Sequence, residues 1–439
     1  MAGGSHVLGV RSQMKVKEKQ RKDILFLCQY FYPEHNSSAT LPFDTAKYLA
    51  SHGFLVDGMV GYPKEYSDDK NLPLEEVKDG VGIRRIRYIQ MNRAKRLGRL
   101  VNYFSFTFSA WLRRSYLRNY KAVIVYSNPP VLPVIPLSVK RRYGTKIVYV
   151  AYDVYPEVAY ASKSLTPGSL ISRVMNRINT RLFSQVDCVV ALTDEMKEFL
   201  LARRPDLTRD RVVTIANWAH EGVSLPGESM RDRFGSREDQ FVVSYFGNMG
   251  ICQDVETMLD AARLLKDDDR ISFLIAGHGN KTDRVESRIR TEGLENVKLF
   301  GFLTGEEFQQ AVAISSCFIV SLERGLMGTC APSKYYSYLQ GGRPVLVVAE
   351  KDSYLIEETE KERIGYGIEL GDAEALRDAV ISMAENPEAC AEMGRRAKIL
   401  YDEHYSYGKA MEKYASVMAG ICGNARESVN EITQRICGN

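Results

Sequence analysis

Two short segments of this 439-residue chain carry residue types suited to holding an anion. Gly247-Asn248-Met249-Gly250 follows an apolar run, Phe241–Phe246, that reads as a strand. Glycine at a strand end lets backbone N–H groups and the next helix N-terminus approach a phosphate closely. A plain structural turn accounts for the same residues equally well. Ser333-Lys334, preceded by Pro332, opens a helix expected over Tyr335–Gln340. A helix start with a lysine added is a second anion-binding geometry, and a solvated lysine at a helix start is its bland counterpart. Metal chemistry finds no support in the spacing. The six histidines show no ligand pattern, and Asp267-Asp268-Asp269 reads as a solvated helix end. The eight cysteines (Cys28, Cys188, Cys252, Cys317, Cys330, Cys390, Cys422 and Cys437) form no C-x-x-C pair and read as scattered reduced thiols.

The formal net charge of +4 conceals a division. Residues 1–220 carry 34 Lys and Arg against 19 Asp and Glu, a net of +15, while residues 221–439 carry a net of −11. Such a split implies two domains with different partners. From Gly80 to Tyr152 there are fifteen Lys or Arg and no acidic residue. That stretch suits anionic lipid, a phosphate-linked acceptor or nucleic acid; a solvated helix face is the ordinary alternative. No run reaches the ~18 apolar residues of a membrane span. The basic N-terminus lacks the apolar core of a signal peptide, so the expected location is cytoplasmic.

The elements that would position these segments alternate between strand and helix. Ile24–Tyr30 reads as a buried strand, Leu41–His52 as a helix stopped at Gly53, Leu55–Val60 as a second strand and Ile83–Ile89 as β-like. Arg99–Leu117 is an aromatic-rich helix candidate, and Ala122–Tyr126, Ile147–Val150, Val186–Leu192 and Val212–Ile215 are further strands. The pattern restarts with Phe241–Phe246, a helix from about Asp254 to Leu265, and strands at Ile271–Ala276, Val297–Phe300, Cys317–Ser321 and Val345–Val348. Asp372–Glu385 and Pro387–Asp402 read as helices. Such alternation implies parallel sheets covered on both faces. The expected fold class is α/β, with two doubly wound Rossmann-like domains facing a central cleft. The expected division is a basic extension over 1–23, a first Rossmann-like domain over 24–220, a linker over 221–240, a second Rossmann-like domain over 241–405, and a helical tail over 406–439 able to pack back on the first domain.

Several segments, in order, resemble the retaining glycosyltransferases of family four, which have the GT-B fold. Gln29-Tyr30-Phe31-Tyr32-Pro33-Glu34 resembles that family's first strand and following loop, Tyr126-Ser127-Asn128-Pro129-Pro130 its S-x-P-P segment, and Asp153-Val154-Tyr155-Pro156-Glu157 its D-x-W-P-E segment. Val189–Thr193 with Met196-Lys197 is similar to the stretch before the linker, and Ile215-Ala216-Asn217 to the I-P-N segment. Ala331-Pro332-Ser333-Lys334 with Gly341-Gly342-Arg343-Pro344-Val345 resembles the donor-site P-S-K…A-G-K-P-V signature. The resemblance spans nearly all of residues 24–418. It implies metal-independent transfer from a nucleotide sugar, with retention at the anomeric carbon and no cofactor. The family's bacterial members that this pattern approaches build surface polysaccharides on lipid-linked acceptors; UDP is the commonest donor nucleotide.

Without a metal, cations, backbone N–H groups and helix N-termini must stabilise the departing diphosphate. The resemblance then implies donor contacts at Gly247, Asn248, Gly250, Gln253, Ser333, Lys334 and Ser337, with Gly277, His278 and Phe302 near the nucleobase. Asp153 is the candidate for orienting the reacting hydroxyl or donor sugar, with Glu157 second; helix capping is the alternative for Asp153. The polar loop Glu34–Thr40, with Asn36, Ser37 and Ser38, would let diphosphate and acceptor approach. The sequence departs from the family pattern at four positions. Thr329 and Ser337 stand where an E-x7-E pair is frequent, and Asn248 and Gln253 where Arg and Lys are frequent. Loss of both cations with both carboxylates implies a rearranged site in which Lys334 matters more.

Arg93, Lys95, Arg96 and Arg99 precede Leu100, Val101, Tyr103, Phe104, Phe106, Phe108, Trp111 and Leu112, and Arg113, Arg114 and Arg118 follow. The 84–121 region therefore fits a surface helix on an anionic membrane, with a core helix that has basic ends as the alternative. Nucleic acid is not expected, because no binding motif is present and the other half is acidic. A non-catalytic GT-B scaffold and a sugar-nucleotide epimerase remain as other readings. The missing carboxylate pair and the basic, aromatic helix count against the epimerase.

Overall fold

The computed structural model describes residues 21–63, 71–92, 96–219 and 231–423. Most of the basic extension, Arg93 and Lys95, half of the expected linker and the end of the tail lie outside the described residues.

The first half contains β1 (Lys22–Cys28), α1 (Ser37–Ser51), β2 (Val56–Gly61), β3 (Glu75–Lys78), β4 (Val81–Ile86), α2 (Arg96–Trp111), β5 (Tyr120–Tyr126), α3 (Val134–Tyr143), β6 (Lys146–Ala151), α4 (Glu157–Ala161), α5 (Leu170–Gln185), β7 (Cys188–Ala191), α6 (Asp194–Arg203) and β8 (Val212–Thr214). Its strands form one sheet in the order β3-β4-β2-β1-β5-β6-β7-β8, parallel except for the β3–β4 pair. The second half contains β9 (Phe241–Phe246), α7 (Glu256–Leu264), β10 (Ile271–Ala276), α8 (Thr282–Glu292), β11 (Val297–Phe300), α9 (Gly305–Ile314), β12 (Cys317–Ser321), α10 (Ser333–Gln340), β13 (Val345–Ala349), α11 (Tyr354–Lys361), β14 (Gly365–Glu369), α12 (Ala373–Glu385), α13 (Pro387–Leu400) and α14 (Tyr407–Cys422). Its sheet runs β11-β10-β9-β12-β13-β14. Two Rossmann-like units result.

Alternation along β1 divides the first core. Leu25 and Leu27 face one apolar cluster, and Ile24, Phe26 and Cys28 face the other. That second cluster also takes Ala410, Met411, Tyr414 and Met418 of α14, and Trp218 packs edge-on to Tyr407 and Tyr414. The last described helix therefore covers the first sheet. The two halves also touch through backbone: the Val154 N–H donates to the Thr329 carbonyl at 2.7 Å. Glu195, in the first turn of α6, accepts the Gly328 N–H at 2.7 Å and the Tyr354 N–H at 3.1 Å. Burial raises the pKa of that carboxyl.

Several expected bounds shift. The segment 37–40, expected as loop, is the first turn of α1, whose Ala39 and Thr40 N–H groups already bond the Asn36 carbonyl. The helix expected to reach Leu117 ends at Trp111, and a tighter 3₁₀ turn over Arg114–Asn119 carries Leu117 into the core. Helix α7 starts at Glu256 because the Asp254 carboxylate accepts the Glu256 and Thr257 N–H groups and caps it.

Candidate active site

Strand order reverses at β9, whose neighbours are β10 and β12, and ligands of open parallel sheets lie beyond the strand ends at such a point. The register aligns Phe246 with Ala276, so the next residues, Gly247 and Gly277, emerge side by side. Both have positive φ, +129° and +152°. A Cβ on Gly277 would lie 1.9 Å from the Gly247 carbonyl oxygen, so the two turns can pack this closely only with glycine at 277. The Asn248 amide folds over Gly250, where a Cβ would approach its Nδ2 to 2.5 Å. The Gln253 side chain accepts the Gly250 N–H at 3.1 Å and closes this turn.

A cavity of about 530 Å³ lies between this turn and the first domain. Asn248, Gly250, Ile251, Cys252, Gln253, Asn280, Cys330 and Pro332 form one wall. Asp153, two residues past the end of β6, faces them from the other. The Asp153 N–H is held by Ser127 Oγ at 3.1 Å, and its backbone pairs with Cys330 across the domain boundary. Burial raises its carboxyl pKa to about 6. Asp153 begins no helix and caps none, since α4 starts four residues later after Pro156.

Lys334 lies behind the Gly247 turn rather than on the cavity wall. A Cβ at Gly247 would stand 3.5 Å from its Nζ. The ammonium sits 3.7 Å from the centre of the Tyr245 ring. Part of the side chain is accessible, but Nζ itself is sealed from solvent and has no hydrogen-bond partner. Desolvation lowers its pKa to about 7. Tyr245 is fixed in turn by its hydroxyl, which donates to the Asn248 carbonyl at 2.8 Å. Tyr338 of α10 bonds both the N–H and the carbonyl of Phe246, clipping the helix that bears Lys334 to the end of β9. An anion laid against the Gly247 turn would therefore find an uncompensated cation directly behind the backbone.

The other expected residues distribute unevenly. Ser333 is exposed at the start of α10, and Ser337 is half-buried in that helix away from the cavity lining. His278 is exposed and meets the exposed Phe302 edge-on at 5.3 Å, outside the lining. Asn36 precedes α1 with its Oδ1 buried and unpartnered, and Ser37 and Ser38 belong to the helix; none of the three lines this cavity. Glu157 is directed elsewhere: both its oxygens accept from Arg204, at 2.7 and 2.8 Å, and that ion pair, not the cavity, accounts for its position. Thr329 is buried, its hydroxyl donating to the Leu326 carbonyl. Glu195, Tyr245 and Asn280 were missed in the sequence. Asn280 directly follows the Gly277-His278-Gly279 turn, which was the available signal.

The acid-free stretch does not remain acid-free in three dimensions. Arg84 pairs with Glu75, buried Arg85 with Glu76, Lys121 with Asp23, and Lys140 and Lys146 with Asp187. All of those carboxylates come from outside Gly80–Tyr152. What remains at α2 is a mixed face. Leu97, Phe104, Phe108 and Leu112 are 49–68% exposed, and Arg114 stacks over Trp111 at 3.8 Å. Among the described residues no helix is long and apolar enough to cross a membrane, and every cysteine is a free thiol.

Two family profiles match the chain: the glycosyl transferase 4-like domain over residues 43–218 and glycosyl transferases group 1 over residues 227–399. The probable glycosyltransferase WbjE of Pseudomonas aeruginosa is 26% identical over 325 residues, covering 73% of this chain and 80% of that protein. The putative colanic acid biosynthesis glycosyl transferase WcaI of Escherichia coli is 21% identical over 58% of this chain and 64% of its own length. Among solved structures, Anabaena HepE in complex with UDP superposes with a TM-score of 0.65 at 16% identity, covering 91% of this chain and all of that one. WaaG, a glycosyltransferase involved in lipopolysaccharide biosynthesis, does so with a TM-score of 0.66 at 14% identity, over 90% of this chain and all of its own. At these identities the superpositions speak to the fold.

Proposed function

We propose, from the premise that this chain is a GT-B glycosyltransferase, that it moves a hexosyl or N-acetylhexosaminyl group from a UDP-linked sugar to a lipid-linked glycan in bacterial polysaccharide biosynthesis. Transfer retains the anomeric configuration and needs no metal. One observation carries this reading: the half-buried Asp153 faces the Asn248–Gly250 turn across one cavity, with the unpaired Lys334 ammonium behind that turn. Complexes of HepE with UDP and UDP-glucose, the putative role of WcaI in colanic acid biosynthesis and that of WaaG in lipopolysaccharide biosynthesis support the substrate class.

In this mechanism the donor diphosphate lies against Gly247, Asn248 and Gly250, where the Lys334 ammonium behind the turn takes up the charge that develops as the sugar leaves. The acceptor hydroxyl oxygen bonds to the anomeric carbon on the face from which the diphosphate departs. The anomeric C–O bond to the diphosphate breaks, and a departing phosphate oxygen receives the hydroxyl proton. Asp153, ionised, accepts a hydrogen bond that holds the reacting hydroxyl or donor sugar in line. Its contribution is positioning. The membrane provides the acceptor, and the α2 face, with Phe104 and Phe108 exposed beside Arg113, Arg114 and Arg118, rests on its anionic cytoplasmic surface.

A thermal-shift screen of nucleotide sugars tests the reading, since a ligand that binds the folded state raises apparent stability by mass action. UDP-sugars are expected to stabilise the protein in the presence of a chelator, and the best of them to serve as donor. A protein stabilised by no nucleotide sugar would be the scaffold of the alternative reading.

A further inference from the structure

The cavity has a second wall that donor binding does not explain. From α2 come Arg99, Leu100 and Tyr103; from α5 come Ile171 and Met175. The residues in each set are spaced to share one helix face. Arg99 is the only basic residue of the lining among the described residues, and no described carboxylate pairs with it. Beyond Arg99 the wall is apolar except for Ser162 and Ser164, whose hydroxyls are already bonded to each other and to the Ala159 carbonyl. Ile171 is 40% exposed, and its neighbours Leu170 and Val174 are 76% and 47% exposed. On the α2 side, Phe104 and Leu97 continue outward.

A glycan would set its hydroxyls against Leu100, Ile171 and Met175, where they find no partner. A hydrocarbon chain would remove those side chains from water, which favours binding. It would leave between two apolar stripes, one of them on the helix already assigned to the membrane. A cation beside an apolar wall, with no ion-pair partner among the described residues, complements an anionic head on an apolar tail. We propose that this slot between α2 and α5 seats the acceptor's lipid phosphate, with the phosphate on Arg99 and the first carbons of the chain between Leu100 and Ile171–Met175. The proposal rests on the lipid-linked acceptor of the preceding section and assigns its subsite.

Dodecyl phosphate, below its micelle concentration, is the probe, with dodecanol and inorganic phosphate as its separate halves. Calorimetry on the full chain is expected to show dodecyl phosphate binding at least tenfold more tightly than either half. Arg99→Gln and Ile171→Asp should each weaken it at least tenfold, Arg99→Lys should recover part of the loss, and UDP affinity should stay within twofold in all three. The unchanged UDP affinity reports an intact fold and donor site. If UDP binds but Arg99→Gln holds dodecyl phosphate as the wild type does, the subsite is wrong and the transferase reading stands. If neither UDP nor dodecyl phosphate binds, both fall.

Discussion

Replacing Lys334 by Met should make the protein more stable and nearly unable to hold its nucleotide. The folded protein holds this ammonium near pKa 7 instead of its ordinary 10.5, because Nζ is desolvated and unpartnered. At about 1.4 kcal/mol per tenfold change in proton affinity, the difference is worth roughly 4 kcal/mol against the folded state at pH 7. The Tyr245 ring returns on the order of 1–2 kcal/mol by cation–π attraction, so the net penalty is about 2–3 kcal/mol. Methionine fills nearly the same volume without the charge. The sign follows from proton counting. Below pH 7 both folded and unfolded states carry the proton and the penalty is fully present. Between about 7 and 10.5 the folded state sheds it while the unfolded state keeps it, so wild-type stability rises with pH and the advantage of Lys334→Met shrinks. The assay is chemical denaturation of both proteins at pH 6.5 and 9.5, with UDP titrated into each by calorimetry. Expected are a gain of about 2–3 kcal/mol for the variant at the lower pH, a smaller gain at the higher pH, and at least tenfold weaker UDP binding. UDP binding to the wild type at pH 7 should also take up a fraction of a proton, visible in buffers of different ionisation enthalpy. A variant that is less stable, or that binds UDP as the wild type does, would refute the reasoning.

Other expectations follow from neighbouring groups. Asp153→Asn should lower kcat at least a hundredfold with UDP affinity kept. The wild-type kcat should climb as pH rises through about 6, where the Asp153 carboxyl ionises; the pH profile of transfer checks both. Gly277→Ala should cost on the order of 3 kcal/mol, because its Cβ would strike the Gly247 carbonyl and its φ is strained for a side chain, and thermal unfolding reads this directly. Phe104→Ser with Phe108→Ser should weaken co-sedimentation with anionic vesicles several-fold and leave UDP affinity unchanged. Glu195→Gln should loosen the domain contact it makes through Gly328 and Tyr354, lowering protection of those two amides in hydrogen exchange.

The second sheet could be read almost directly. Phe241–Phe246, Ile271–Ala276, Val297–Phe300 and Cys317–Ser321 are each the strand expected, because each is a short apolar run closed at both ends by polar or turn residues. β14 escaped because Gly365 and Gly367 give it little strand signal. The α1 start escaped because Ser37, Ser38 and Thr40 look like loop until the Asn36 carbonyl is seen to begin the helix. Within the site, the glycine turn and Lys334 could be picked out as anion-binding chemistry. That Lys334 would be sealed behind the turn, over an aromatic ring, depends on how α10 docks on β9 and has no local signature. Glu157 shows the opposite failure. It stands with Asp153 in the segment that resembles D-x-W-P-E, yet Arg204, 47 residues on, claims it. The acid-free stretch is partly neutralised for the same reason, since Glu75, Glu76, Asp23 and Asp187 reach it only in three dimensions.

The central claim is donor-dependent transfer through the cavity between Asp153 and the Asn248–Gly250 turn. Its most direct measurement is single-turnover transfer from a radiolabelled UDP-sugar to lipid-linked glycan extracted from a polysaccharide-producing bacterium, with wild type and Asp153→Asn side by side in a chelator. The account predicts label in the lipid fraction with an axial or equatorial linkage matching that of the donor, and its loss in the variant despite bound nucleotide. Label transferred equally by Asp153→Asn, or with inverted anomeric configuration, would contradict it.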